Sequence, residues 1–273
     1  MCSDRANNKQ EDLWDMGSVF VVSDELLPYP RICAHRGFSA IAPENSLPAY
    51  GAALALGAEE IELDVWYTKD GELVSIHDRN LERISTGHGS VWDHTLEELY
   101  ELDFGVKYAE HFRGLKIMRF EDVLKKFGRT AIMNIHMKMW DFEMPEPYYE
   151  KVAELIRKYN CEKHVYMMSI SVEKLTEFHK IAPEIPRCIA FNCVKSDPFA
   201  WIDWAVEMGL QKIQISDPSK EVIAYAHQKG LICNIYYADD PEKAKRYMDM
   251  GADTILSNHI LQIQPVVRGY KKY

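Results

Sequence analysis

Apolar and polar positions along this chain follow two alternating periods. Nine short runs, 31–35, 60–67, 73–77, 131–138, 164–169, 187–191, 212–216, 231–237 and 254–257, are rich in Ile, Val, Leu, Met and Cys and read as strands. Between most of them lie amphipathic stretches, 46–56, 148–159, 172–180, 199–208, 219–228 and 241–250, with the spacing of helices that bury one face. Asp197-Pro198, Asp217-Pro218 and Asp240-Pro241 read as helix starts, an Asp cap followed by Pro at the first helical position. Gly57, Gly209, Gly230 and Gly251 fall just past helix ends, where a left-handed cap is expected. Repeated strand–helix units predict a parallel sheet, and this many of them predict an α/β fold closed as a (β/α)8 TIM barrel.

Nine strands are one too many for that barrel. The runs 60–67 and 73–77 are separated by Lys69-Asp70-Gly71, too short for a parallel crossover, so the two form an antiparallel hairpin extending strand 2. A two-residue loop at Asp70-Gly71 sets His77 opposite Asp64, and a one-residue shift sets it opposite Glu62. Residues 79–125, with helical signals at 95–102 and 120–127, are expected to form a small inserted cap over one end of the barrel. The predicted organisation is an N-terminal extension over 1–28, disordered over 1–12, and a barrel over 29–273.

Composition narrows the partners. With 47% hydrophobic residues, 32 Lys plus Arg and 42 Asp plus Glu, the net charge is -10, which argues against nucleic-acid binding. No apolar stretch reaches the roughly 18–20 residues of a membrane span. The six cysteines, Cys2, Cys33, Cys161, Cys188, Cys193 and Cys233, contain no C-x-x-C pair and read as reduced structural thiols rather than a zinc cage. The start of the chain lacks a signal-peptide pattern, so the expected location is cytoplasmic. The alternative is an exported or lipid-anchored protein whose signal segment was removed at Cys2.

Chemistry concentrates at the strand ends, where barrels of this kind place reactive groups. The first strand ends in His35-Arg36-Gly37, and the second alternates Glu62 and Asp64 on one face. The hairpin ends in His77-Asp78, and Asn134, His136 and Lys138 share a face of the 131–138 run. Singly, each has a plainer reading. Glu62 and Asp64 suit a solvated sheet face, His77-Asp78 a turn, Arg36 a surface ion pair, and His136 and Lys138 an inert rim. Jointly they bring carboxylates, imidazoles and cations to one mouth, a grouping that needs a metal or an anion to balance it. The other histidines, His88, His94, His111, His164, His179, His227 and His259, show no such convergence in the sequence.

The order and gaps of His35-Arg36-Gly37, Pro43-Glu44-Asn45-Ser46, Glu62-Leu63-Asp64, Thr68-Lys69-Asp70-Gly71, His77-Asp78, Leu81-Glu82-Arg83 and Asn134-Ile135-His136-Met137-Lys138 resemble the glycerophosphodiester phosphodiesterase family. The resemblance runs from about residue 30 to 260. It implies hydrolysis of a small glycerophosphodiester to glycerol 3-phosphate and an alcohol, His35 and His77 as the acid/base pair, and Glu62 and Asp64 as metal ligands. The family's third ligand is Glu, and here His136 stands in its place; Asn258 follows Ser257 where the family has Thr-Asp. The resemblance implies one Mg²⁺ or Ca²⁺, whereas an imidazole donor suits Mn²⁺ or Zn²⁺ better.

Charge gives the remaining expected roles. A phosphodiester is an anion, and Arg36 with its planar fork and Lys138 with its point charge are the expected phosphate binders. Trp66, Tyr67, Phe104, Tyr236 and Tyr237 are candidates either for head-group contact or for packing the insertion. Two other readings stay open at this point: a phospholipase-type barrel acting on intact phospholipid, and a phosphodiester-binding barrel without metal. Oligomeric state is not legible.

Overall fold

The computed structural model describes residues 23–25, 27–138 and 147–270. Residues 1–12 and Cys2 lie outside the described residues. Eight parallel strands close a barrel in the order β1 (Arg31–Ala34), β2 (Glu60–Tyr67), β5 (Ile132–Met137), β6 (Val165–Ser169), β7 (Arg187–Asn192), β8 (Lys212–Ser216), β9 (Ile232–Ile235) and β10 (Thr254–Ser257). The last pairs back to the first from Arg31↔Thr254 to Ala34↔Ser257. Outside them run α1 (Leu47–Ala55), α3 (Phe120–Phe127), α4 (Tyr148–Lys158), α5 (Val172–Ile181), α6 (Pro198–Glu207), α7 (Lys220–Gln228), α8 (Pro241–Met250) and α9 (Ile260–Gly269). Alternation along each strand does the sorting. Met133, Ile135 and Met137 of β5 face outward into the shared barrel–helix core, while Asn134 and His136 face the barrel interior.

The helix starts follow their capping chemistry. Asp197 accepts from Phe199 and Ala200 N–H, and Asp240 from Lys243 N–H. Asp217 departs from expectation. Its φ of +52° is incompatible with the extended backbone of a cap, so Ser219 accepts from Val222 N–H and α7 begins after it. Gly57, Gly209, Gly230 and Gly251 all have positive φ, as the pattern predicts.

The hairpin exists, but in a register between the two expected. β2 pairs with β3 (Leu73–Ser75) through Val65↔Ser75, Trp66↔Val74 and Tyr67↔Leu73, which brings His77 level with Leu63. The loop holds three residues because Thr68 N–H donates to Glu72 O at 2.8 Å, closing it one residue early. A further short strand, β4 (Met118–Arg119), pairs with β3 and was not read from the sequence. The insertion, which includes α2 (Leu96–Glu101), packs a core of its own from Trp66, Val74, Ile76, Leu81, Val91, Leu99, Phe104 and Ile117. Phe120, Val123 and Leu124 belong instead to the main core, so α3 is a crossover helix of the barrel and not part of a cap reaching to 125.

The N-terminal mouth is closed by charge. Arg31 donates to Glu60 at 3.0 Å and to the backbone oxygens of Asp24 and Leu27, while Lys212 reaches Asp24 at 3.1 Å. Residues 23–25 and 27–30 therefore close that mouth rather than trail from it.

Candidate active site

The reactive groups gather at the opposite mouth because β1, β2 and β5 are neighbours, with Asp64 paired to His136 in register. His35, Arg36, Glu62, Asp64, His77, His136 and Lys138 all line one cavity of about 330 Å³. All seven residues expected from the sequence are thus brought together.

A tight turn aims the first of them. Arg36 has φ +57° and Gly37 φ +78°, and a Cβ on Gly37 would lie 2.7 Å from the Ala49 carbonyl carbon, so only glycine lets the turn seat against α1. The turn presents Arg36 N–H to Glu62 Oε2 at 2.9 Å and its Nε to Asp64 Oδ2 at 3.6 Å. His136 Nδ1 lies 3.3 Å from Asp64 Oδ1 and 3.9 Å from Glu62 Oε1, and Lys138 Nζ lies 3.4 Å from Asp64 Oδ1. Donor atoms of Glu62, Asp64 and His136 fall within 4.8 Å of one another.

The electrostatics of this group are unbalanced as it stands. Burial, and then the charge of Asp64, push Glu62 well above the usual carboxyl range. Burial acts the same way on Asp64, but Lys138 and His136 outweigh it and hold that carboxylate far down. Burial, and then Lys138, lower His136 to about 4, which keeps the imidazole neutral, the form that ligates. Asp64 Oδ1 is buried and accepts no hydrogen bond. A neutral imidazole, an ionised carboxylate whose buried Oδ1 holds no hydrogen bond and a second buried carboxyl make a donor set that fits a divalent ion.

The two flanking imidazoles sit in contrasting surroundings. His35 Nδ1 meets Asn258 Oδ1 at 2.9 Å. Asn258 cannot turn over, because its Nδ2 donates to Asp239 Oδ2 at 2.8 Å and Ser39 donates to its Oδ1 at 3.0 Å. His35 therefore carries its proton on Nδ1 and a lone pair on Nε2, which lies 4.0 Å from Glu62. Burial, and then Arg36, lower His35 to about 4. His77 Nδ1 faces a carboxylate instead, Asp78 Oδ1 at 2.6 Å. Burial lowers His77, and Asp64 and Asp78 oppose the shift.

Several residues to which the motifs alone assign no role complete the site. Asn45 donates to Asp64 Oδ2 at 2.9 Å and accepts from Tyr50 and Ser75, fixing the carboxylate from behind. Glu44 receives Arg36 at 3.1 Å and both terminal nitrogens of Arg83 at 2.9 and 2.6 Å. Arg83 also pairs with Asp78. The result is an unbroken chain, His77–Asp78–Arg83–Glu44–Arg36. Its members lie in motifs visible in the sequence, but nothing there shows that they touch. Among the aromatic candidates, Trp66 and Phe104 pack the insertion and Tyr67 packs on Trp92 and Tyr148. Tyr236 lines the cavity, edge-on to His35 at 5.5 Å, and Tyr237 stacks on the same ring at 6.3 Å.

A second convergence escaped the sequence. His227, Cys233 and Asp253 meet at the N-terminal side of β9 and β10, where Asp253 Oδ2 accepts from His227 Nε2 at 2.8 Å and Cys233 N–H at 2.7 Å. Burial pushes the Cys233 thiol far up, so it stays protonated, and the group reads as a structural clasp. Cys33, Cys161, Cys188 and Cys193 are likewise free thiols.

A parallel barrel whose catalytic mouth pairs two imidazoles with fixed cations and a carboxylate-rich donor set is equipped for phosphoester hydrolysis. Comparison with known proteins agrees. Residues 35–262 match the Glycerophosphoryl diester phosphodiesterase family. A glycerophosphodiester phosphodiesterase of Caldanaerobacter subterraneus is 32% identical over 83% of this chain and 93% of the relative. One of Bacillus altitudinis is 31% identical over 84% and 94%. The crystal structure of the Agrobacterium tumefaciens glycerophosphodiester phosphodiesterase superposes with a TM-score of 0.75 at 27% identity, covering 86% of this chain and 99% of that one. An Oleispira antarctica phosphodiesterase, solved with its product sn-glycerol-3-phosphate, shares the fold with a TM-score of 0.76 at 22% identity, covering 88% and 97%. The chain belongs to the glycerophosphodiester phosphodiesterase family and is a phosphoric diester hydrolase. Among the described residues no helix is long and apolar enough to cross a membrane.

Proposed function

We propose that this chain hydrolyses glycerophosphodiesters to glycerol 3-phosphate and an alcohol with His35 as general base and His77 as general acid. Arg36 and Lys138 hold the phosphate, and Glu62, Asp64 and His136 hold one divalent cation. The observation that carries the reading is the meeting of those three donors within 4.8 Å in the cavity that His35 and His77 also line. The division of labour follows from the partners of the rings. A neutral amide on Nδ1 leaves His35 a weakly basic, unprotonated ring, ready to take the proton of the attacking hydroxyl at Nε2. A carboxylate on Nδ1 supports the imidazolium form of His77, which gives its proton to the leaving oxygen. Arg36 and Lys138 oppose the charge that grows on the phosphoryl oxygens. When bound, the cation supplies additional Lewis-acid charge at the same place. The product seen in the Oleispira antarctica enzyme is the one this reading assigns.

The donor set further points to Mn²⁺ or Zn²⁺ over Mg²⁺ or Ca²⁺, because His136 replaces a hard carboxylate by a neutral nitrogen. The test is EDTA treatment, then add-back of each metal with a panel of glycerophosphodiesters. Activity should vanish and return best with Mn²⁺ or Zn²⁺, and His136→Glu should move the preference toward Mg²⁺ or Ca²⁺. His35→Ala and His77→Ala should each lose about a hundredfold or more in kcat while remaining folded. Near-normal turnover by either variant, or by the metal-stripped protein, overturns the assignment.

A further inference from the structure

At the end of the barrel away from the catalytic mouth, three unlike donors meet. His227 stands in the last turn of α7, Cys233 is the second residue of β9, and Asp253 immediately precedes β10. A donor atom of each lies within 4.8 Å of the others, as do those of Glu62, Asp64 and His136 in the active site. The backbone sets two of the three in place. Asp253 N–H donates to Cys233 O at 3.0 Å, and Cys233 N–H donates to Asp253 Oδ2 at 2.7 Å. Thiol and carboxylate are thus held by one strand pair without help from the histidine. His227 closes the triangle from outside, its side chain 39% exposed. Fixed positive charge is missing here. Among the described residues His227 is the one ion-pair partner of Asp253, whereas Asp24 and Glu60 at the same end of the barrel are met by Arg31 and Lys212. Both hydrogen bonds to the Asp253 carboxylate use Oδ2, which leaves Oδ1 for another partner.

We propose that this clasp is a second metal site, for a divalent ion of the Zn²⁺ class, remote from catalysis. Thiolate, imidazole and carboxylate together suit such an ion, whereas Mg²⁺ and Ca²⁺ select oxygen. One carboxylate and one thiolate balance its two charges. Burial keeps the Cys233 thiol protonated in the metal-free clasp, and a coordinated dication reverses that preference. The ion replaces two protons, one from the Cys233 sulfur and one from the His227 ring, and both pass to solvent. Zinc bonds of about 2.0–2.3 Å set tetrahedral donors roughly 3.3–3.8 Å apart. The His227–Asp253 contact of 2.8 Å must therefore open while the thiol draws nearer, a movement that the half-exposed ring can make. Water completes the fourth position on the exposed side. The site ties the end of α7 to the starts of β9 and β10.

Co²⁺ is the probe, because a cobalt–thiolate bond gives a near-ultraviolet charge-transfer band that the oxygen and nitrogen donors of the catalytic mouth cannot give. Titration of the EDTA-treated full chain should develop that band up to one thiolate-bound ion per chain, and Zn²⁺ should bleach it. Cys233→Ser should abolish the band. His227→Ala, which leaves the buried core intact, should weaken Co²⁺ binding at this site at least about tenfold while turnover of glycerophosphocholine stays at the parent level. In Asp64→Asn, whose catalytic donor set is broken, Zn²⁺ at a hundredfold excess over its dissociation constant should still raise Tm by about 5 °C. No thiolate band in the parent, or an unchanged band in His227→Ala, overturns the site.

Discussion

Arg83 stands outside the cavity, yet it ties the two ends of the site together. Its guanidinium donates to both oxygens of Glu44 and to Asp78, while Glu44 grips Arg36 and Asp78 grips His77. Arg83→Ala leaves Glu44 with Arg36 as its cationic partner in this chain, so Arg36 is drawn off the phosphate, and it leaves Asp78 to turn away from His77. The Arg83 side chain is 48% exposed, so lost ion pairing should cost about 1 kcal/mol of stability or less. For a chain of this size that is a fall in Tm of roughly 2–4 °C. Activity should suffer more. A hydrogen bond to a charged group contributes about 1.5–3 kcal/mol, which in the transition state corresponds to about 10- to 150-fold in kcat/KM. Since Arg36 and His77 remain present, the lower end is expected, about tenfold to thirtyfold, shared between a raised KM and a lowered kcat. Arg83→Lys keeps a charge but not the fork, and should recover only part. Steady-state kinetics on glycerophosphocholine beside thermal melts make the measurement. A kcat/KM within twofold of the parent, or a loss matched by a collapse of Tm, refutes a positioning role.

Two further outcomes follow from pKa shifts. Asn258→Asp places a carboxylate against His35 Nδ1, favours the imidazolium and raises the His35 pKa from about 4, so the base is lost at higher pH. The acid limb of the kcat/KM profile should move upward, and an unmoved limb counts against His35 as base. Chiefly through its hydrogen bond to Asp253, His227 is raised above its ordinary value, so its stabilisation is complete below about pH 6.5 and fades as pH rises through the folded-state pKa. His227→Ala should therefore lower Tm at pH 6 by a few degrees at most and leave Tm at pH 9 nearly unchanged; an equal loss at both would show that packing, not charge, holds the clasp.

What the sequence displays and what it hides divide along sequence separation. The barrel is legible because most strands and helices announce themselves locally, through period, Asp-Pro starts and glycines past the helix ends. Asp217 misleads for an equally local reason: its backbone is left-handed, and Ser219 two residues later takes the cap. The hairpin register slips by one because Thr68 closes the loop early, a choice that the Asp70-Gly71 signal alone does not fix. At the site, alternation on β2 and β5 already places Glu62, Asp64 and His136 on inward faces. The supporting tier is different. Glu44 meets Arg83 across 39 residues, Asn45 meets Asp64 across 19, and His35 meets Asn258 across 223. No local pattern encodes such pairs. Yet it is this tier that sets the tautomer of His35, separates its environment from that of His77 and aims Arg36, which is why two histidines indistinguishable in the sequence sit in unlike surroundings once the chain is folded.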